Sequence, residues 1–148
     1  MSDNIVKIIP NDPYFRIDDK QSQNAVRFLT LKTKADLVKF CIQESPVFVD
    51  CGANLESISC PICKKLLDFG WWGDAMDKAA LNNFKDLSIK LPCCGKDSTL
   101  NDLFYDFPCG FSSFEFDIIN PSVEVNDGVI SVLQSLIGIT VNVIHAHV

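Results

Sequence analysis

A chain of 148 residues that is 47 % hydrophobic, with eleven Phe and no Gly/Ser- or Pro-rich linker, carries enough apolar surface for one ordinary core, which argues against a disordered or fibrous protein. Its formal charge of −6 is uneven: residues 1–59 and 60–98 are each nearly balanced, whereas residues 99–148 hold Asp102, Asp106, Glu115, Asp117, Glu124 and Asp127 with no Lys or Arg. Such a surface repels phosphates and favours basic partners, and the six lysines of the middle segment are offset by five Asp, so nucleic acid is not an expected partner.

In chain order, Ile5-Val6-Lys7-Ile8-Ile9 is a short β-branched run closed by Pro10, with Asn11-Asp12-Pro13 as turn chemistry, and predicts a first strand. A helix follows, capped by Asp18 or Asp19, with Ala25, Phe28 and Leu29 inward. Val38, Phe40 and Ile42 alternate with polar residues, and Glu44-Ser45-Pro46 separates them from Val47-Phe48-Val49, which predicts a hairpin. Gly70-Trp71-Trp72-Gly73 precedes a second helix, capped by Asp74, with Met76, Ala79, Ala80 and Phe84 on one side. Leu87, Ile89 and Leu91 form a half-buried strand pattern before Pro92. Phe114, Phe116 and Ile118 alternate cleanly with Glu115 and Asp117 until Asn120-Pro121. A helix over Asp127 to Leu136, Gly138 in the C-cap position and a strand from Ile139 complete a β-α-β unit.

These elements predict an α+β fold, an α/β sandwich with a mixed, mainly antiparallel sheet and two or three helices. Residues 1–148 form a single domain in this reading, with a cysteine-bearing, zinc-binding insert at 51–98. From Gly128 to Val148 there is no charged residue, a length that could span a bilayer. The Ile139-Thr140-Val141-Asn142-Val143 alternation, with Gln134, His145 and His147, reads as a half-buried strand instead, so no membrane association is expected. Met1-Ser2-Asp3-Asn4 lacks the basic start and apolar run of an export signal, which predicts a cytoplasmic protein whose seven cysteines are thiols, metal ligands or buried small residues.

Cys60-Pro61-Ile62-Cys63 is the most specific feature, because a C-P-x-C turn points two thiolates at one position while its amides can donate to sulfur. Pro92-Cys93-Cys94-Gly95 supplies a second pair. Four-thiolate zinc at Cys60, Cys63, Cys93 and Cys94 is therefore predicted, although adjacent ligands depart from the usual spacing of two or more residues, and Cys51, Cys109, His145 or His147 could replace one of them. Lone Cys41, Cys51 and Cys109 otherwise read as small core residues. No H-E-x-x-H and no H-x-E ahead of P-C-x-x-C is present, so the zinc is expected to be structural. Trp71 and Trp72 read either as cover over the metal turn or as anchors of a binding surface.

The motifs C-P-x-C at Cys60, Trp71-Trp72, Pro92-Cys93-Cys94-Gly95, Leu100-Asn101-Asp102-Leu103-x-Tyr105, Gly110-Phe111, Asn120-Pro121 and the terminal Ile144-His145-Ala146-His147 together resemble a group of small uncharacterised bacterial proteins, over about residues 47 to 148. That resemblance implies a bacterial cytosolic protein and no catalytic residue. In size and charge the chain also resembles the immunity proteins that neutralise bacterial toxins, which implies a basic protein as partner. The first functional expectation is thus a non-enzymatic, zinc-stabilised interaction protein, with Asp102, Asp106, Glu115, Asp117, Trp71 and Trp72 as candidate partner-binding residues. The alternative is a zinc-dependent hydrolase in which His145 or His147 completes an open site.

Overall fold

The computed structural model describes residues 3–49, 56–106 and 109–147, the side chain of His147 excepted. Its elements in order are β1 (Asn4–Pro10), α1 (Asp19–Thr33), β2 (Leu37–Val49), β3 (Ile58–Ser59), α2 (Phe69–Ala80), β4 (Ser88–Lys90), β5 (Asp97–Thr99), β6 (Phe104–Tyr105), β7 (Gly110–Ile119), α3 (Asp127–Ile137) and β8 (Val141–His147).

The four long strands form one sheet in the order β2-β7-β1-β8, and each pairing in it is antiparallel. Strands β1 and β2 therefore run the same way with β7 between them, and β7 and β8 run the same way with β1 between them. Each pair is bridged by a helix, α1 or α3. Two interlocked split β-α-β units of this kind make the β-α-β-β-α-β, ferredoxin-like arrangement. Strand alternation turns Val6, Ile8, Val38, Phe114, Phe116 and Ile118 to one face, where Ala25 and Leu29 of α1 and Val129, Leu133 and Ile137 of α3 cover them. Asp18 caps α1 in a reciprocal capping box with Gln21, Asn126 caps α3, and Gly138 closes α3 at φ 81, a left-handed conformation that glycine adopts without steric cost.

Two local expectations are corrected. The hairpin at Glu44-Ser45-Pro46 is instead a bulge inside one continuous strand, β2, whose register on β7 shifts between Ile42 and Val47. Strand β2 lies at the sheet edge, where Pro46 costs no ladder bond, and the Arg16 guanidinium donates to the carbonyls of Gln43 (2.6 Å) and Glu44 (2.7 Å) at the bulge. Helix α2 starts at Phe69 with Asp68 in the N-cap position, so Trp71, Trp72 and Asp74 lie within it, and Phe84 follows its end with φ 57.

The elements β3, α2, β4, β5 and β6 all come between β2 and β7 and build a second apolar cluster from Ile58, Leu67, Leu87, Leu91, Leu100 and Leu103, among others. Phe48 of β2 and Phe111 of β7 reach into it, with ring centroids 5.1 Å apart, and Trp72 meets Phe48 at 5.7 Å. Among the described residues no helix is long and apolar enough to cross a membrane, and the charge-free stretch from Gly128 is divided between α3 and β8.

Candidate metal centre

Two loops of the insert carry the four cysteines, and they are built to one plan. In the first, the amide of Cys60 donates to the Lys65 carbonyl (2.9 Å) and the amide of Lys64 to the Cys60 carbonyl (3.1 Å). In the second, the amide of Leu91 donates to Lys96 (2.9 Å) and that of Gly95 to Leu91 (2.8 Å). Pro61 and Pro92 occupy the same place in the two turns, where a fixed φ near −65° preorganises the chain. Lys64 and Gly95, at φ 67 and 70, both make the left-handed step that closes the loop.

Superposing the loops by this pattern sets Cys63 beside Cys94, Leu91 where the first loop has Cys60, and Cys93 where it has Ile62. That shift explains the adjacent cysteines. Leu91 is buried in the insert's apolar cluster, and the thiol it replaces is supplied two positions later by Cys93, which is half-buried where Ile62 is exposed.

The four sulfurs all lie within 4.8 Å of one another. Cys63 Sγ is 3.2 Å from Cys93 Sγ, and Cys60 Sγ is 4.0 Å from Cys94 Sγ. A tetrahedral ion with metal–sulfur bonds of about 2.3 Å would hold its sulfurs about 3.8 Å apart, so the observed separations bracket the required edge. Cys60 is buried, Cys93 is half-buried, and Cys63 and Cys94 are exposed, which places the cluster at the boundary of the insert's core.

The electrostatics point the same way. Burial pulls the Cys60 thiol upward, but the amides of Cys63 and Ile62, each 3.3 Å from its sulfur, and the neighbouring thiols outweigh that and bring it down to about 6. The hydrogen bond with Cys63, together with burial, pushes Cys93 up to about 12. A thiolate at Cys60 packed against a reluctant thiol at Cys93 is the charge pattern that a cation resolves by displacing the remaining proton. The donor set fits a metal ion such as zinc.

The other candidates fall elsewhere. Cys41 is half-buried on β2 with its sulfur 4.0 Å from Asp117, and Cys109 packs on Ile9, Val49 and Ile144. Cys51 and the side chain of His147 lie outside the described residues, and exposed His145 on β8 is not among the clustered ligands. Asp102 and Asp106 are exposed on the insert. Asp102 accepts from Thr99 (2.9 Å), and Asp106 accepts the Glu56 amide at 3.1 and 3.2 Å. Glu115 and Asp117 sit half-buried on β7, on the sheet face opposite the helices, with Lys7 Nζ 3.7 Å from Glu115. Burial, together with a hydrogen bond and repulsion from Asp117, raises Glu115 to about 7 against the pull of Lys7.

Trp72 is half-buried and donates to the Tyr105 hydroxyl (3.3 Å), and Trp71 lines a cavity of 530 Å³ between α2 and β4 with Asp74, Lys78, Asp86 and Lys90. Sequence reading missed Asn101, whose side chain donates to Asn11 (3.3 Å) and accepts from Phe111 (2.9 Å), tying the insert to the sheet. Its position in the Leu100-Asn101-Asp102-Leu103 motif was the only signal.

Fold and cluster together define the class: an α+β protein with, among the described residues, three helices, a four-stranded antiparallel sheet, small two-stranded sheets and a four-cysteine cluster able to hold a metal ion. No protein-family model, curated protein or solved structure matches the chain.

Proposed function

We propose that the chain is a non-enzymatic protein-binding module in which zinc, held by Cys60, Cys63, Cys93 and Cys94, fastens the insert, and whose partner is a basic protein. The observation that supports this reading is the cluster of four sulfurs within 4.8 Å of one another, since a tetrahedral ion held by all four has no position left for water or substrate. The hydrolase alternative needs an open position completed by histidine, and His145 is outside the cluster. A reducing compartment such as the cytoplasm keeps the thiolates available.

The partner's charge follows from the acidic last third, where exposed Asp102 and Asp106 are the carboxylates to neutralise first. A basic toxin neutralised in the manner of an immunity protein is one partner that meets this chemistry. Association should slow with added salt, since exposed charges are screened over about 8 Å at physiological ionic strength. An Asp102→Asn, Asp106→Asn variant should lower the association rate more than it raises the dissociation rate. A natural partner that is itself acidic, and whose association ignores both salt and these substitutions, overturns the partner half of the reading.

A further inference from the structure

We propose that the cysteine cluster is a peroxide-responsive zinc centre, in which oxidation joins Cys63 to Cys93 and releases the metal while the insert stays folded. The inference rests on the zinc reading above, and two observations select the pair. Cys60 is shielded, fully buried with two amides on its sulfur, whereas Cys63, like Cys94, is exposed to a soluble oxidant. Cys63 Sγ lies 3.2 Å from Cys93 Sγ, against 4.0 Å between Cys60 and Cys94. A disulfide needs about 2.05 Å, so from the 3.2 Å separation the chosen sulfurs close a gap of about 1.2 Å.

The chemistry balances with hydrogen peroxide as the oxidant. The Cys63 thiolate attacks one peroxide oxygen and breaks the O–O bond; the leaving hydroxide takes up a proton as water, and Cys63 becomes a sulfenic acid. The Cys93 thiolate then attacks that sulfur, the S–O bond breaks, and a second proton converts the departing hydroxide to water. Two thiolates lose two electrons, peroxide gains them, and zinc leaves as Zn²⁺ with no change of oxidation state. The new bond links the loops at 60–65 and 91–96, the same two that the metal linked, so one cross-link replaces another. Cys60 and Cys94 remain as thiols, ready to rebuild the site once Cys63 and Cys93 are reduced.

The test uses the zinc-loaded full chain, treated with hydrogen peroxide in the presence of a chromogenic zinc chelator, with fragmentation mass spectrometry to locate any bridge. The expected result is loss of the bound zinc in step with a Cys63–Cys93 disulfide, a thermal midpoint close to that of the loaded protein, and recovery of zinc after dithiothreitol and added metal. Chain that is purified without zinc and fails to take it up contradicts the zinc reading itself. Zinc that is bound but retained overturns this inference alone, as do release with the bridge at Cys60–Cys94, release with cysteines carried to sulfinic or sulfonic acid, and an oxidised form that melts like reduced, metal-stripped protein.

Discussion

The two halves of the molecule reach order by different routes. The sheet with α1 and α3 has strands of 7 to 13 residues and a continuous core in which Phe116, Ile118, Ile8 and Leu29 are fully buried. The strands of the insert are two or three residues each, too short to stand without added support. A half that closes by apolar burial should tolerate loss of a ligand. A half whose loops converge on four sulfurs should not.

The largest expected effect tests that contrast directly. Removing zinc, or making Cys60→Ser with Cys63→Ser, should erase hydrogen-exchange protection across residues 58–105 while β1, β7, α1 and α3 keep theirs. Structural zinc contributes on the order of 10 kcal/mol in zinc-finger peptides, and an insert with its own apolar cluster depends on it less. Unchanged protection in the stripped insert would make the two halves energetically alike. The converse experiment is Phe116→Ala, which should cost about 3–5 kcal/mol in denaturant melts by opening the sheet core, with zinc stoichiometry preserved. Loss of zinc in that variant would mean that the halves are not separable.

A smaller effect lies on the other face of the sheet. With Glu115 at about 7 in the folded chain and about 4.3 when unfolded, the folded state holds a proton that the unfolded state has released between those values. The stability this contributes is fully present below about pH 4.3 and is lost as pH rises through 7. Glu115→Gln should flatten the profile in that window and raise stability above pH 7 by on the order of 1–2 kcal/mol, allowing for residual exposure and for Lys7. An unchanged slope in the variant assigns the pH dependence to another group. Smallest of all, Lys64→Gly removes the left-handed penalty that Gly95 avoids in the matching loop, and should raise the thermal midpoint of the insert by the equivalent of about 1 kcal/mol or less. A drop instead would mean that the Lys64 ammonium, 3.0 Å from the Pro61 carbonyl, matters more than the backbone.

Where one short-range rule governs, the sequence was readable. A β-branched run closed by Pro10 located β1, alternation located β7, Asp18 or Asp19 and Gly138 marked helix ends, and C-P-x-C identified half of the cysteine cluster. The failures were tertiary. Glu44-Ser45-Pro46 has turn composition, but β7 on one side and Arg16 across the bulge hold it as strand. Trp71 and Trp72 were expected just before a helix capped by Asp74, yet the helix starts at Phe69, and Trp72 packs from it against Phe48 and Tyr105. Cys93 and Cys94 seemed badly spaced because the loop containing them begins at Leu91, a fact carried by backbone hydrogen bonds and not by cysteine spacing. The interleaving of the two β-α-β units was likewise invisible, since nothing local states that β1 lies between β7 and β8.

The central claim is a closed zinc site of four thiolates joining two loops of one plan. X-ray absorption at the zinc edge, on protein purified without added metal, measures it most directly. The account predicts one zinc per chain with four sulfur neighbours at about 2.3 Å and no nitrogen or oxygen in the shell. Three sulfurs with one light atom would mean that Cys93 or Cys94 does not bind and that a position is open to water, which would contradict the closed site and return the chain to the class of candidate zinc enzymes.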